Sequence, residues 1–262
     1  MTRELGLEMN PNKINLAWLS RQGVHKGKSL EVIKQIADVA QKENAIKLTL
    51  EQVDNEIQTT EIHAVQYKDT GTYILRGIDD DLAVFEECNT KVASITQNVF
   101  ARVFKDKVER LSKELGFMIE FFTTWKNLQK YWAYLMPIFE QGDISNQMST
   151  EYQSFKSIDS IYRHELSGVN GTEKKTYQNF AHKEGLAIQA TQLTKQFDFL
   201  LKSLAKYLEG KREHFPRLYF LSNEEIIDIV GQMDNIEQIE RSLFKMFDGV
   251  NTVTVAPSET SL

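Results

Sequence analysis

The longest regular pattern of apolar residues runs through residues 100–139. Apolar side chains recur there at alternating steps of four and three, which is the period of an α-helix with a buried face. A second apolar register runs beside the first, and two adjacent seams rich in aromatic residues need several covering helices. The pattern predicts a long core helix of a bundle, which Gly116 weakens and Pro137 ends. The main seam comprises Phe104, Val108, Leu111, Leu115, Met118, Phe122, Trp125, Gln129, Trp132, Met136 and Phe139, with Gln129 its only polar member.

The same period recurs in other parts of the chain. Residues 184–212 carry an apolar stripe that runs from Leu186 to Tyr207. These arrays share a spacing but no repeated sequence, so they do not indicate a repeat protein. The chain is predicted to be mainly α, an elongated multi-helix bundle rod. Further helices are predicted over residues 29–44, 45–58, 80–97, 149–167, 222–232 and 235–247.

One segment, residues 60–76, departs from the helical period. Its residues from Ile62 to Gln66, and again from Tyr73 to Leu75, fit a period of two, which is typical of strands. The intervening residues 68–71 have turn chemistry, and Gly71 can adopt a positive φ. The segment therefore predicts a small β-hairpin.

A proline-containing joint follows the second long helix. Pro216 lacks an amide donor and favours an extended Phe215, so the helix is predicted to end before it. Ser222 and Glu225 form the Ser-x-x-Glu capping box that marks the start of another helix. Arg217, in this fixed turn, either holds the joint by bonding carbonyls or contacts a neighbouring domain, and the sequence leaves both readings open.

These patterns divide the chain into five parts. The segment 167–183, which contains Gly168 and Asn170-Gly171, is the best candidate for a flexible break. The C-terminal residues 249–262 are predicted to be poorly ordered. The predicted parts are a lead-in segment over 1–28, a helical bundle with the hairpin over 29–166, a flexible loop over 167–183, the later bundle over 184–248 and a disordered tail over 249–262.

Composition excludes several classes of partner. The chain of 262 residues has a formal charge of −6 with acidic and basic residues intermixed, so nucleic acid, whose phosphates need a basic face, is not expected as a partner. No apolar run approaches the ~20 residues of a membrane span, and residues 1–13 lack the apolar core of a signal peptide. A lone cysteine, Cys88, excludes an internal disulfide and fits a reducing cytosol.

No set of residues in the sequence has the spacing of a catalytic or metal-binding site. Gly27-Lys28-Ser29 resembles the end of a phosphate-binding loop, but the glycine that such a loop requires is replaced by Gln22, so a capping role for Ser29 is favoured. The histidines lack the i,i+4 spacing of zinc ligands. Cys88 lies on an apolar stripe, where a buried, inert thiol is expected. The sequence therefore predicts no catalytic residue, cofactor or metal ligand in this chain.

Four motifs nevertheless carry a family resemblance. They are YKDTGTYIL at 67–75, WAYLMPIF at 132–139, FKSID at 155–159 and KREHFPRLYFLSNEE at 211–225. In this order and spacing they resemble the linker region of axonemal-type dynein heavy chains. This linker is the second conserved N-terminal region of the family. The resemblance extends from about residue 30 to 248. Ile57, Leu111 and Met136 depart from it, since the family usually has Trp, Trp and Glu there.

The resemblance implies a mechanical function rather than catalysis. The linker lies across the motor's AAA+ ring, and ATP turnover shifts it between bent and straight docking positions. The implied partners are the ring of the same heavy chain and, indirectly, other dynein subunits and microtubules. The implied location is the cytoplasm and its cytoskeleton, in a cilium or axoneme. ATP and Mg would bind elsewhere in the motor. The residues expected to contact the ring or hold the joint are Tyr67, Asp69, Gly71, Tyr73, Phe215, Pro216, Arg217, Phe220, Ser222 and Asn223.

An alternative stays open at this point. The sequence contains no Walker motif, so it is expected to be either a segment of a much longer polypeptide or a separate linker-like protein. In the second case it would be a stand-alone helical scaffold that uses the same apolar seams to bind partner helices. Whether the natural reading frame continues into an AAA+ module discriminates between the two.

Overall fold

The computed structural model describes residues 28–68, 70–140, 142–167, 176–231 and 236–250, together with residues 17 and 21. Within these residues the elements of secondary structure are all helical apart from one two-stranded hairpin, which confirms the mainly α prediction. Nearly all of the predicted lead-in and of the predicted tail lies outside the described residues. The elements are α1 (Lys28–Thr59), β1 (His63–Gln66), β2 (Tyr73–Arg76), α2 (Ile78–Thr96), a 3₁₀ helix (Val99–Phe104), α3 (Lys105–Glu140), α4 (Gly142–Gln147), α5 (Ser149–Ser167), α6 (Tyr177–Ala181), α7 (Leu186–His214), a second 3₁₀ helix (Pro216–Phe220), α8 (Asn223–Gly231) and α9 (Ile236–Met246).

Helix α1 replaces two predicted helices. The separate helices expected over 29–44 and 45–58 form one continuous helix, because no glycine or proline interrupts the sequence between them. Its second half buries the expected apolar stripe, including Leu50 and Ile57, whereas Ala37 and Ala40 of the first half are exposed.

Helix α3 follows the predicted double seam, with two corrections at its ends. Residues 99–104 are 3₁₀ rather than α-helical, and the side-chain oxygen of Asn98 caps them by accepting the Phe100 amide at 3.0 Å. Pro137 lies inside the helix and does not end it. A proline removes the hydrogen bond to the carbonyl four residues earlier. Here the loss falls in the last turn of the helix, which ends at Glu140, and the exposed proline ring is accommodated there.

The chain forms two compact units that interleave along the sequence. The first comprises Met1–Thr60 and Asp79–Ile119, and the second comprises Glu61–Ile78 and Glu120–Leu262. The boundaries predicted at 166 and 184 follow chain order instead. They miss this division because the hairpin joins the later helices while α2 joins α1.

The first unit has an apolar core that includes the cysteine. Phe85, Val92 and Leu115 are fully buried. An ion pair accompanies this core, since Arg110 places its guanidinium 2.9 Å from both carboxylate oxygens of Asp54.

Cys88 belongs to the same core. Burial, and then the hydrogen bond that the Cys88 thiol donates to a Glu56 carboxylate oxygen at 2.8 Å, raises the pKa of Cys88 to about 12. The predicted burial of the thiol is confirmed, and the raised pKa is what an inert thiol would have.

The core of the second unit is aromatic. Trp125 of α3 stacks on Tyr162 of α5, and Phe122 of α3 meets Tyr177 of α6 with ring centroids 4.5 Å apart. Residues 177–181, predicted to belong to a flexible loop over 167–183, are therefore a packed helix in which Tyr177 and Phe180 are buried. Their burial outweighs the local loop chemistry. The glycine-containing residues 168–175 lie outside the described part of the chain.

Candidate functional site

The hairpin has the predicted antiparallel form and a tight, strained turn. Ala64 is paired with Leu75 in the register, and the Tyr67 amide donates to the Thr72 carbonyl at 2.8 Å to close the turn. Gly71 has φ of 67° and Lys68 has φ of 46°, so both occupy the left-handed region. Only glycine adopts that region without steric cost, which explains Gly71. Asp69, predicted as a contact residue, lies outside the described residues.

Gln129 anchors the hairpin to helix α3. Its side-chain oxygen accepts the Leu75 amide at 2.8 Å, and its side-chain nitrogen donates to the Leu75 carbonyl at 3.0 Å. The amide group thereby supplies the pair of hydrogen bonds that a neighbouring strand would make with β2. The lone polar residue of the apolar seam thus has a structural explanation.

A second anchor joins the hairpin turn to helix α5. Asp159 accepts a hydrogen bond from the Trp132 indole at 2.7 Å and another from Arg163 at 2.8 Å. Arg163 also donates to the Thr70 carbonyl in the turn at 2.9 Å. The edge of the Tyr67 ring meets Trp132 at a centroid distance of 5.4 Å. Because donors and acceptors are satisfied together, the turn has a defined position on α3 and α5.

The joint, defined here as residues 212–223, redirects the chain after α7. Phe215 leaves the helical region, with φ of −134° and ψ of 89°, as a residue before proline is expected to do, although its ψ falls short of the predicted extended conformation. Pro216 then opens a 3₁₀ helix, which the sequence did not predict, and Leu221 adopts an extended conformation. Pro216 fits here because the first residues of a helix need no internal amide partner.

Arg212 holds the two ends of the joint together. Its guanidinium donates to the Leu221 carbonyl at 3.2 Å and to the side-chain oxygen of Asn223 at 2.8 Å. Its side chain is 14% exposed. A cation in this position is stabilised by the Leu221 carbonyl and the Asn223 side chain, so it works as an internal cross-link between α7 and the start of α8.

Arg217 connects the joint to the end of helix α9. It donates to the Met246 carbonyl at 2.8 Å, and its guanidinium lies 4.4 Å from the centroid of the Phe247 ring. This hydrogen bond agrees with one of the two readings that the sequence left open, the bonding of carbonyls, and contact with a neighbouring domain stays a prediction. The contact also places a positive charge at the negative end of α9, where the helix dipole favours it.

The predicted capping box is confirmed at the start of α8. The Glu225 amide donates to the Ser222 hydroxyl oxygen at 3.2 Å, and the Ser222 amide donates to a Glu225 carboxylate oxygen at 2.8 Å. The second Glu225 oxygen bonds Lys245 of α9. The bonds from Lys245 and then from the Ser222 backbone lower the pKa of Glu225. The box thus joins α8 to both neighbouring segments.

The joint holds a set of aromatic side chains toward solvent. The exposed fractions are 42% for Phe215, 56% for Tyr219 and 70% for Phe220. Tyr219 is oriented by the hydrogen bond that its hydroxyl donates to Glu209 at 2.6 Å. Large apolar side chains held outward on a cross-linked segment form a surface suited to binding another protein surface.

Sequence reasoning found some of these residues and missed others. Tyr67 and Tyr73 lie half-buried on the hairpin, and Ser222 and Asn223 lie in the joint as expected. Gln129, Asp159, Arg163 and Arg212 were not predicted as site residues. Gln129 carried a signal as the polar exception in an apolar seam, and Asp159 and Arg212 lie within two of the four family motifs.

Among the described residues, no group of three or more histidine, cysteine or acidic side chains is placed to hold a metal ion. No helix in the same residues is both long and apolar enough to cross a lipid bilayer. What the site does provide is a pair of fixed segments, the hairpin and the joint, each tied to a long helix through backbone atoms.

Comparison with known proteins decides the family. The model of the family described as "Dynein heavy chain, N-terminal region 2" matches residues 1–261. The chain belongs to this dynein heavy-chain family. The resemblance stated from the four motifs is therefore confirmed over nearly the whole chain.

Individual dynein heavy chains show the same relationship at moderate identity. Mouse "Dynein axonemal heavy chain 1" is 28% identical over 250 residues, which cover 95% of this chain and 6% of the mouse protein. "Cytoplasmic dynein 2 heavy chain 1" of Chlamydomonas reinhardtii is 29% identical over 241 residues, 90% of this chain and 5% of that protein. Human "Dynein axonemal heavy chain 2" is 29% identical over 226 residues, 86% of this chain and 5% of its own length. The chain thus spans only a small part of the dynein relatives it matches.

Proposed function

We propose that this chain is the linker of a dynein heavy chain, a mechanical lever that couples ATP turnover in the AAA+ ring to microtubule-based movement. The chain itself is non-catalytic in this proposal, and ATP with Mg binds to modules outside it. Its direct partner is the ring of the same heavy chain, and its place is the cytoskeleton of a cilium or axoneme. Membership of the dynein family supports the motor context, and the axonemal relatives support the location.

The observation that carries the proposal is the outward aromatic surface on an internally cross-linked joint. A lever must keep its contact residues fixed relative to its helices, since a loose contact would absorb movement instead of transmitting it. Arg212 and Arg217 tie the joint to α8 and α9, while Phe220 points into solvent with 70% of its surface exposed. Burying such a side chain against a partner contributes about 1.5–3 kcal/mol, enough to favour one docked position over another.

The test is a complete heavy chain that contains this sequence, with Phe220→Ala in the joint. Phe220 contributes exposed surface to the joint and neither of the arginine cross-links, so the substitution should weaken docking without unfolding the lever. We expect slower microtubule gliding, with ATP binding and basal turnover retained. Leu48→Ala is the matched control, because Leu48 is also an exposed apolar residue, at 57%, and lies on α1.

A Phe220→Ala motor that glides at the parent's speed, with normal stimulation of ATP turnover by microtubules, would remove the aromatic surface from the mechanism. Equal slowing by Leu48→Ala would show that the effect is not specific to the joint. A reading frame that ends without an AAA+ module would favour the alternative of a stand-alone helical scaffold.

A further inference from the structure

Helix α7 carries a second regular stripe, on the side opposite its buried one. The buried stripe includes Leu193, Leu200 and Leu204. The outward stripe repeats at alternating steps of four and three, the spacing that presents one helix face to a partner helix. All of its members are exposed, and we call it the basic stripe: Ile188, Gln192, Lys195, Phe199, Lys202 and Lys206.

A groove runs between the basic stripe and the helices α4 and α5. Its larger part has a volume of about 960 Å³ and its smaller part about 380 Å³, and Phe199 lines both. Ser154 and Ser157 form part of the opposite wall on α5. Their small side chains leave the space open. From Lys195 to Lys211 the groove follows α7 for ~24 Å, at 1.5 Å per residue.

The charge of the groove is opposite to that of the chain. Lysines at 195, 202, 206 and 211 line it, whereas Glu151 is the one carboxylate among its described lining residues. The chain as a whole has a formal charge of −6. Within the described residues, Lys202 and Lys206 form no salt bridge. Gln147 accepts hydrogen bonds from Tyr207 at 2.6 Å and Lys211 at 3.0 Å, which fixes the floor at one end.

We propose that this groove binds an acidic amphipathic helix of a partner protein. Apolar residues of that helix would pack on Phe199 in the groove, which is 64% exposed, and on Ile188 of the same stripe beyond the end of the groove, which is 67% exposed. Its carboxylates would pair with the lysines of the stripe. Charge complementarity selects an acidic partner, and the heptad spacing and length of the groove select a helix over an extended strand. The inference does not depend on the lever function, because the lysines and the exposed apolar residues that it uses lie outside the joint and the hairpin.

The test uses the full chain and a fluorescein-labelled peptide of about 18 residues, which spans ~27 Å as a helix. Leucines occupy its heptad positions and glutamates flank them. Fluorescence anisotropy should show saturable binding that weakens as salt is raised, because salt screens exposed charges. Lys202→Glu with Lys206→Glu should weaken binding by about tenfold or more, since like charges then face each other.

Lys113→Glu with Lys130→Glu is the matched control, because both residues are exposed lysines of α3 and the pair makes the same change in net charge. It should bind the peptide like the parent chain. Circular dichroism melts establish that both double variants fold. Zero-length carbodiimide cross-linking, mapped by mass spectrometry, should join peptide carboxylates to Lys202 or Lys206.

Three results of the peptide assay would overturn the proposal. They are the absence of saturable binding, equal binding of a scrambled peptide or of unstructured polyglutamate, and equal weakening in the control variant. Binding of anionic phosphatidylserine vesicles through the same lysines, without peptide binding, would instead assign the face to a membrane surface and also overturn it.

Discussion

Replacing Gln129 tests whether the hairpin is held by a side chain that imitates a strand. In Gln129→Leu the shape of the side chain is nearly kept, but both of its polar groups are removed. The amide and the carbonyl of Leu75 then lose their partners on α3. Because Leu75 is only 2% exposed, water is a poor substitute for them.

The expected magnitude follows from those two hydrogen bonds. Each contributes ~0.5–1.5 kcal/mol net, and a buried backbone group without a partner costs ~1–3 kcal/mol. The added methyl surface of leucine offsets part of this loss. We therefore expect Gln129→Leu to lower the free energy of unfolding of the second unit by ~2–4 kcal/mol.

Urea denaturation measures this change, read through the fluorescence of Trp125 and Trp132 in a Trp18→Phe background. Both tryptophans lie in the same compact unit as the hairpin, so the signal reports on that unit. Gln153→Leu is the matched control, because Gln153 is exposed on α5. Coincident unfolding transitions for the two variants would refute the reasoning, as would unchanged hydrogen exchange at the Leu75 amide.

Three further predictions concern other parts of the chain. Trp132→Ala should lower the free energy of unfolding by ~3–5 kcal/mol in the same urea assay, because it leaves a cavity in a fully buried site. Ser222→Ala should cost ~1 kcal/mol through loss of the helix cap, measurable as faster amide exchange in α8. Alkylation of Cys88 should accelerate only as pH rises toward about 12. Because the pKa of Cys88 is raised in the folded protein, its contribution to the free energy of unfolding is complete below pH ~9 and is lost as pH rises through about 12. A Cys88→Ala variant should lack this pH dependence.

The sequence predicted best the features that local chemistry decides. The apolar period located α3 and α7, the period of two with Gly71 located the hairpin, and the Ser222–Glu225 spacing located a helix start. Each of these depends on residues close together in the chain. Pro137 shows the limit of the same reasoning, because proline ends a helix only when the lost hydrogen bond matters, and near the last turn it matters little.

Features that depend on distant residues were not predicted. Helix α6 exists because Phe180 and Tyr177 pack on aromatic side chains of α3, about 55 residues earlier in the chain. Nothing in the local sequence indicates that contact. The division into two interleaved units has the same origin, since it is set by which helices pack together and not by chain order.

Backbone acceptors explain why the site itself was only partly visible in the sequence. Gln129, Arg212 and Arg217 bind carbonyl groups of Leu75, Leu221 and Met246. A carbonyl is present at every position, so the acceptor leaves no mark in the sequence, and only the donor can be recognised. Substituting the side chain of an acceptor residue leaves its carbonyl in place, whereas loss of a donor cannot be restored by any change on the acceptor side. The fixed positions of the hairpin and the joint therefore depend on these few long polar side chains more than on the residues they hold.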